Sequence, residues 1–199
     1  MQESAQTFRG HMQRAISLLN LHIQYQEGAS NPDFLKKLRM RMELMAEALP
    51  LAVEGSEREA TMAETFAAVE QIVSRIYDPD GGNACDYALG GRSVDQLVLA
   101  TLGQIFAEFL SNIYSRATPG SPSLRVEVTF SADAASEGRL RVRDAAVGLG
   151  AQTEPLDQLT SRVIGELARS LDGAARFDGP SIHDAELTFP LAPSAIGSR

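Results

Sequence analysis

Over residues 4–26, apolar side chains recur every three to four positions: Ala5, Phe8, Met12, Ile16, Leu19 and Ile23. That spacing predicts an amphipathic helix whose stripe is the seam of a coiled coil or bundle. EGASNPD (Glu27 to Asp33) breaks the pattern as a turn, with Asn31 as N-cap and Pro32 at the first helical position of the next element. Leu35, Leu38, Met42, Met45 and Leu49 then repeat the stripe, and Pro50 lies near its end. Two such helices with a short connection predict an antiparallel hairpin. Each stripe alone is half exposed, so two hairpins are expected to pair as a four-helix bundle, making the protein a homodimer. The alternative is that the hairpin packs on the remainder of its own chain.

The pattern changes after residue 55. Ser56 to Tyr77 reads as a helix with Met62, Phe66, Val69, Ile72, Val73 and Ile76 apolar, and DPDGGN (Asp78 to Asn83) as a turn cluster. Ala84 to Leu89 is a short strand. Ser93 is expected to cap a long helix running to about Arg116, with Asp95 in its first turn, where the helix dipole favours an acid. After the loop ATPGSPS, Leu124 to Ser131 and Arg139 to Arg143 alternate as strands, joined by polar residues 132–138. Val147 to Asp157 is loop-like, Leu159 to Leu171 helical, and Ala174 to Phe177 and Ala185 to Phe189 close the chain as strands. The expected fold class is α+β: a helical hairpin over residues 1–55, then an α/β sandwich over 56–199 with helices on one face of its sheet.

Composition narrows the partners. The 199 residues carry a net charge of −8, which argues against nucleic acid, because phosphate binding needs clustered Lys and Arg. No apolar run is expected to approach the ~18 residues a membrane span needs, and the polar N-terminus is no secretory signal. A single cysteine, Cys85, excludes an internal disulfide and fits a reducing cytoplasm. The three histidines, His11, His22 and His183, form no cluster with metal-site spacing.

Within the helical stretch AEFLSNIYSRA, Glu108 and Asn112 are four residues apart and so share one helix face. A carboxylate beside a carboxamide can orient a water and hold Mg²⁺ through oxygen. VRDAAVGLG follows, with Asp144 at the end of an alternating run, placed to accept a hydrogen bond from a base edge. Together these residues suggest a nucleotide site.

The order of parts resembles the catalytic core of a bacterial sensor histidine kinase: a dimerising helical hairpin, then the α/β ATPase domain shared with gyrase. The HWE-like branch, whose first helix reads roughly H-R-V-K-N-N-L-Q-x-I-S-S-L-L-x-L-Q, aligns with QTFRGHMQRAISLLNLH (Gln6 to His22). In that frame Phe8, Met12 and Leu18–Leu19 take apolar places, Arg9 the Lys place, Gln13 the Gln place and Ser17 a Ser place. Gln6 stands at the phosphoacceptor histidine, and an amide has no imidazole nitrogen to phosphorylate. Taking His11 as acceptor would turn Gln13 and Ser17 into the seam.

AEFLSNIYSRA resembles the N-E-L-x-x-N-A-x-K-H-A box. The resemblance gives Glu108 the box's Glu, Asn112 its magnesium-binding Asn, Ser115 the place of the phosphate-facing Lys and Arg116 that of the His. VRDAAVGLG resembles V-x-D-x-G-x-G-L, so Asp144 matches the adenine-reading Asp and Gly148 the second Gly, with Ala146 replacing the first. The lid that should carry G-x-G reads DQLTSRVIGEL, with no glycine before Gly165. In the closing stretch, His183 and Asp184 lie near an expected Gly-Thr pair.

The resemblance implies an ATP site formed by Glu108, Asn112, Asp144 and Gly148, with Asn112 the Mg²⁺ ligand if ATP binds, but ATP binding is expected to be weak or absent. The expected function is a two-component signalling pseudokinase that binds or dephosphorylates a response-regulator receiver domain. Only five residues precede Gln6, so no sensor domain is expected upstream. Gln6 or Gln13 is then the group that positions a hydrolytic water. Three alternatives remain: a phosphorelay histidine phosphotransferase using His11, an active ATP-dependent histidine kinase, and an anti-sigma-factor-like binding module.

Overall fold

A computed structural model describes residues 32–45, 60–91, 93–115, 123–133, 136–145, 158–177 and 184–191. Within them are four helices, α1 (Pro32–Glu43), α2 (Met62–Tyr77), α3 (Gln96–Tyr114) and α4 (Gln158–Arg169). The strands are β1 (Ala84–Ala88), β2 (Arg125–Ala132), β3 (Glu137–Asp144), β4 (Ala174–Phe177) and β5 (Asp184–Pro190). They form one mixed sheet in the order β1-β2-β3-β5-β4, with β1 parallel to β2 and every other pair antiparallel.

The strand alternation sorts the two faces. Val126, Val128 and Phe130 of β2, Leu140 and Val142 of β3, and Ala185, Leu187 and Phe189 of β5 are buried under the helices. The opposite face of β2 and β3 is exposed and laced with cross-strand ion pairs, Arg125–Asp86, Arg143–Glu127 and Arg141–Asp184 among them. The helix layer thus covers one face, as the α+β expectation holds.

Helix ends differ from the sequence expectation for local reasons. Ala60 and Thr61 lie outside α2, because Thr61 is its N-cap. The Thr61 hydroxyl accepts from Glu64 N at 3.2 Å while Glu64 accepts from Thr61 N at 2.9 Å, a reciprocal box that fixes the start at Met62. Asp95, not Ser93, caps α3, taking Leu97 N at 2.8 Å. Asp78 then turns the chain from α2 into β1 by accepting from Gly82 N and Asn83 N.

α3 is the central helix, buried from Leu99 to Tyr114 apart from half-buried Gln104. Its Phe106 stacks on Phe66 of α2 with ring centroids 4.7 Å apart. Contrary to the sequence expectation, α3 is long and apolar enough to cross a membrane, with mean hydropathy 1.3, but 89% of that window is buried in the sandwich. It therefore serves as the core helix of the layer.

Of the expected hairpin, only α1 belongs to the described residues; residues 4–26 lie outside them. The face that α1 buries is not the predicted stripe. Met40 and Leu44 are buried together with Lys37 and Arg41, while Met42 is 60% exposed and Leu38 and Met45 are half-buried. The buried positions still follow i, i+3, i+4, i+7 spacing, but two of the four are cations. α1 also touches α2 through an Arg75–Glu43 ion pair at 3.0 Å and through Lys36 over the Tyr77 ring at 5.7 Å.

Candidate functional site

Glu108 and Asn112 occupy successive turns of α3 and both are buried, at 2% and 7% exposure. Asp144 ends β3 in the same alternation as Leu140 and Val142, so its side chain lies on the helix-covered face. The sheet register shows which end of α3 it meets. Cys85 pairs with Val126 and Val126 with Asp144, forming one row across three strands. Tyr114, at the C-terminal end of α3, lies 3.7 Å from the Cys85 sulfur. The half of α3 that carries Asn112 therefore overlies the row that ends at Asp144.

Glu108 does not face open solvent. Arg41 of α1 donates from Nε to Glu108 Oε1 at 2.6 Å and from Nη2 to Oε2 at 2.9 Å. Their side chains are only 7% and 3% exposed. A bidentate guanidinium–carboxylate pair is among the stronger protein hydrogen-bond geometries, and burial strengthens its attraction while raising the cost of separating it. One turn earlier on α1, buried Lys37 donates from Nζ to Thr160 Oγ1 of α4 at 2.7 Å. α1 is thereby tied to α3 and to α4 by two neighbouring cations.

The C-terminal end of α3 is equally self-contained. The Ser115 hydroxyl donates to the Asn112 carbonyl at 3.0 Å and so satisfies its own helix. On α4, a Cβ placed on Gly165 would meet nothing within 4 Å, so neither packing nor backbone strain demands glycine there. It is an ordinary helical position, not the hinge of a phosphate loop. Asp184 begins β5 on the open face and accepts from Arg141 Nε at 2.6 Å; this contact holds its carboxyl below the usual range.

Asn112 and Asp144 are therefore brought to one end of the sandwich. Glu108, one turn back, has each oxygen committed to Arg41, and position 115 supplies a hydroxyl in place of a cation. A cation at Glu108 would have to displace the Arg41 guanidinium. Gln6, His11, Gln13, Gly148, Ala146, Arg116 and His183 lie outside the described residues. Sequence reasoning missed Lys37, Arg41 and Thr160. Their signal was present: positions 37, 40, 41 and 44 have the spacing of a buried helical face.

A separate polar cluster lies at the sheet edge. Glu70 of α2 accepts from Cys85 N at 2.9 Å and from the Tyr87 hydroxyl at 2.6 Å. Burial, then the Glu70 charge, push the Cys85 thiol up to about 12. Burial likewise raises the Tyr87 and Tyr114 phenols. These groups are held neutral, which suits a structural role.

Among solved structures, the Erythrobacter litoralis EL346 blue-light activated histidine kinase matches with a TM-score of 0.71 at 16% identity, over 95% of this chain and 60% of that one. This chain has the fold of a histidine-kinase core. The histidine kinase domain from the same light-activated kinase matches at TM-score 0.58 and 12% identity, covering 92% of this chain and 94% of that domain. The chain thus spans 60% of the length of the light-activated protein but nearly all of its kinase domain. No protein-family model matches the sequence, and no curated protein does. At such identities the likeness is one of fold.

Proposed function

We propose that this protein is a two-component signalling pseudokinase: a histidine-kinase fold that does not phosphorylate itself and instead binds, or removes phosphate from, a response-regulator receiver domain. The observation that carries this reading is the bidentate Arg41–Glu108 pair. It occupies the one carboxylate on α3 that nucleotide chemistry would use. The absence of a cation at Ser115 adds to it, since each charge-assisted hydrogen bond to phosphate is worth about 1.5–3 kcal/mol. Losing two or three of them lowers affinity by orders of magnitude.

The outward face of α1 supports a partner surface. Exposed Met42 and half-buried Leu38 and Met45 belong to the stripe assigned to helix pairing, in keeping with a homodimer. Receiver-domain docking on the helical N-terminal region is part of the same proposal.

Two incubations test it. The first is with labelled ATP and Mg²⁺, the second with a phosphorylated receiver domain. The expected result is no label from ATP, with capture or dephosphorylation of the receiver. Acid-labile label from ATP would overturn the pseudokinase reading. Transfer from the receiver to this chain, abolished by His11→Ala, would assign a phosphotransferase instead. If receiver phosphate is lost without label on this chain, Gln6→Ala and Gln13→Ala identify the group that positions the water.

A further inference from the structure

β1 lies at one edge of the sheet, with β2 as its only strand neighbour among the described residues. An edge strand presents N–H and C=O groups that a strand from another chain can take. In a parallel pair, the N–H and C=O of one residue point to the same side, and the side alternates along the strand. Ala84 N donates to the Leu124 carbonyl at 3.0 Å, so Ala84, Asp86 and Ala88 turn their backbone groups to β2. Cys85 and Tyr87 therefore turn theirs to the free edge. One side chain of α2 stands there. Glu70 Oε1 accepts from the Cys85 N–H at 2.9 Å, and Oε2 accepts from the Tyr87 hydroxyl at 2.6 Å. The Tyr87 ring in turn sits edge-on to buried Phe106 of α3, with centroids 6.3 Å apart. The carboxylate is thus clamped at both oxygens across the backbone of β1.

An added strand would bring a carbonyl oxygen to the Cys85 N–H. It would have to displace an anion from that group and then lie beside the same negative charge. We propose that Glu70 is an edge guard, which closes β1 to strand addition by a second copy of this chain. A second copy is the partner that always brings a matching edge, the same five residues ACDYA. Two such edges meeting antiparallel about a two-fold axis would join two sheets into one, with Cys85 and Tyr87 of each copy supplying the ladder. The guard leaves β1 at the surface, with Tyr87 37% exposed, while denying that ladder a free donor at Cys85. It is independent of the homodimer proposed through the helical stripe, which does not use this edge.

The test compares wild type, Glu70→Ala and Tyr87→Phe as full chains. Association is read by sedimentation velocity over a concentration series, and the β1 amides by hydrogen exchange. In dilute Glu70→Ala, the Cys85 amide is expected to exchange about tenfold faster than in wild type, through loss of one charge-assisted hydrogen bond. In concentrated solution the variant is expected to form a species of about twice the wild-type mass, with the Cys85 and Tyr87 amides protected again. Tyr87→Phe removes one tether of the carboxylate and keeps the ring beside Phe106, so it is the milder variant. It is expected to shift both readouts in the same direction, less far. A folded Glu70→Ala that sediments as wild type at every concentration overturns the guard. A larger species whose β1 amides stay unprotected also overturns it, because association then uses another surface. If Glu70→Ala does not fold, Tyr87→Phe decides alone, and either unchanged Cys85 exchange or unchanged sedimentation overturns the proposal.

Discussion

Replacing Arg41 with Leu would leave the Glu108 carboxylate, 3% exposed, without its counter-charge. Removing one partner of a buried pair typically costs about 3–5 kcal/mol, because the remaining charge keeps its desolvation penalty. For a chain of this size each kcal/mol moves the melting midpoint by roughly 2–4 °C, so Arg41→Leu is expected to lower Tm by about 6–20 °C. Glu108→Leu should also destabilise, because it removes the bidentate partner of a buried guanidinium. The double variant Arg41→Leu/Glu108→Leu removes both charges and fills the space with apolar atoms. It should recover most of the loss, as apolar replacements of whole buried pairs are often neutral or better. The cycle is measured by urea and thermal unfolding followed by circular dichroism. If α1 lifts away in the single variants, the loss is limited to the free energy of its docking, and hydrogen exchange over α1 reports that directly. Single substitutions that each cost under about 1 kcal/mol, with no recovery in the double, would place the pair among weakly coupled surface contacts. That result would refute the argument from burial.

Other outcomes follow from single contacts. Gly165→Ala should stabilise by about 0.5–1 kcal/mol in urea unfolding, since its Cβ meets nothing and alanine is the better helix former; destabilisation would restore a special role for this glycine. Thr61→Ala should cost about 1 kcal/mol and fray the start of α2, read by amide exchange at residues 62–65, because it removes one half of the capping box. Cys85 should resist iodoacetamide at pH 8. Raising its pKa from 9.0 to about 12 lowers the thiolate fraction by about a thousandfold. The linked stability is fully present below pH 9.0 and is lost as pH rises towards about 12, because the unfolded thiol ionises first. Fast alkylation of the folded protein would contradict the buried neutral thiol.

The strands and the core helices were legible because they obey simple periods. Alternation in RVEVTF and RLRVR gave β2 and β3, and the apolar spacing of residues 62–76 gave α2. Helix starts were misplaced where two capping side chains competed, as with Ser93 and Asp95, since only geometry decides which accepts the first amide. Glu108, Asn112 and Asp144 could be singled out by type and spacing. What Glu108 does could not, because its partner lies 67 residues earlier on a helix whose predicted stripe held only apolar residues. Pattern rules treat Arg and Lys as outward-facing. They fail where a carboxylate distant in sequence arrives at the same place.

The parallel pairing of β1 with β2 sets an order of assembly. β2 and β3 are joined by the four residues 133–136, closed at the turn by Asp133 N to Glu137 O at 3.0 Å, so this hairpin needs only local chain closure. β1 pairs Ala84 with Arg125, and the whole of α3 lies between them. Its contacts have a long sequence separation and form only after α3 is laid on the sheet. β1 is also a five-residue edge strand with one neighbour. It should be among the last strands to join during folding and among the first to open in the native protein, carrying Cys85 and Tyr87 out with it.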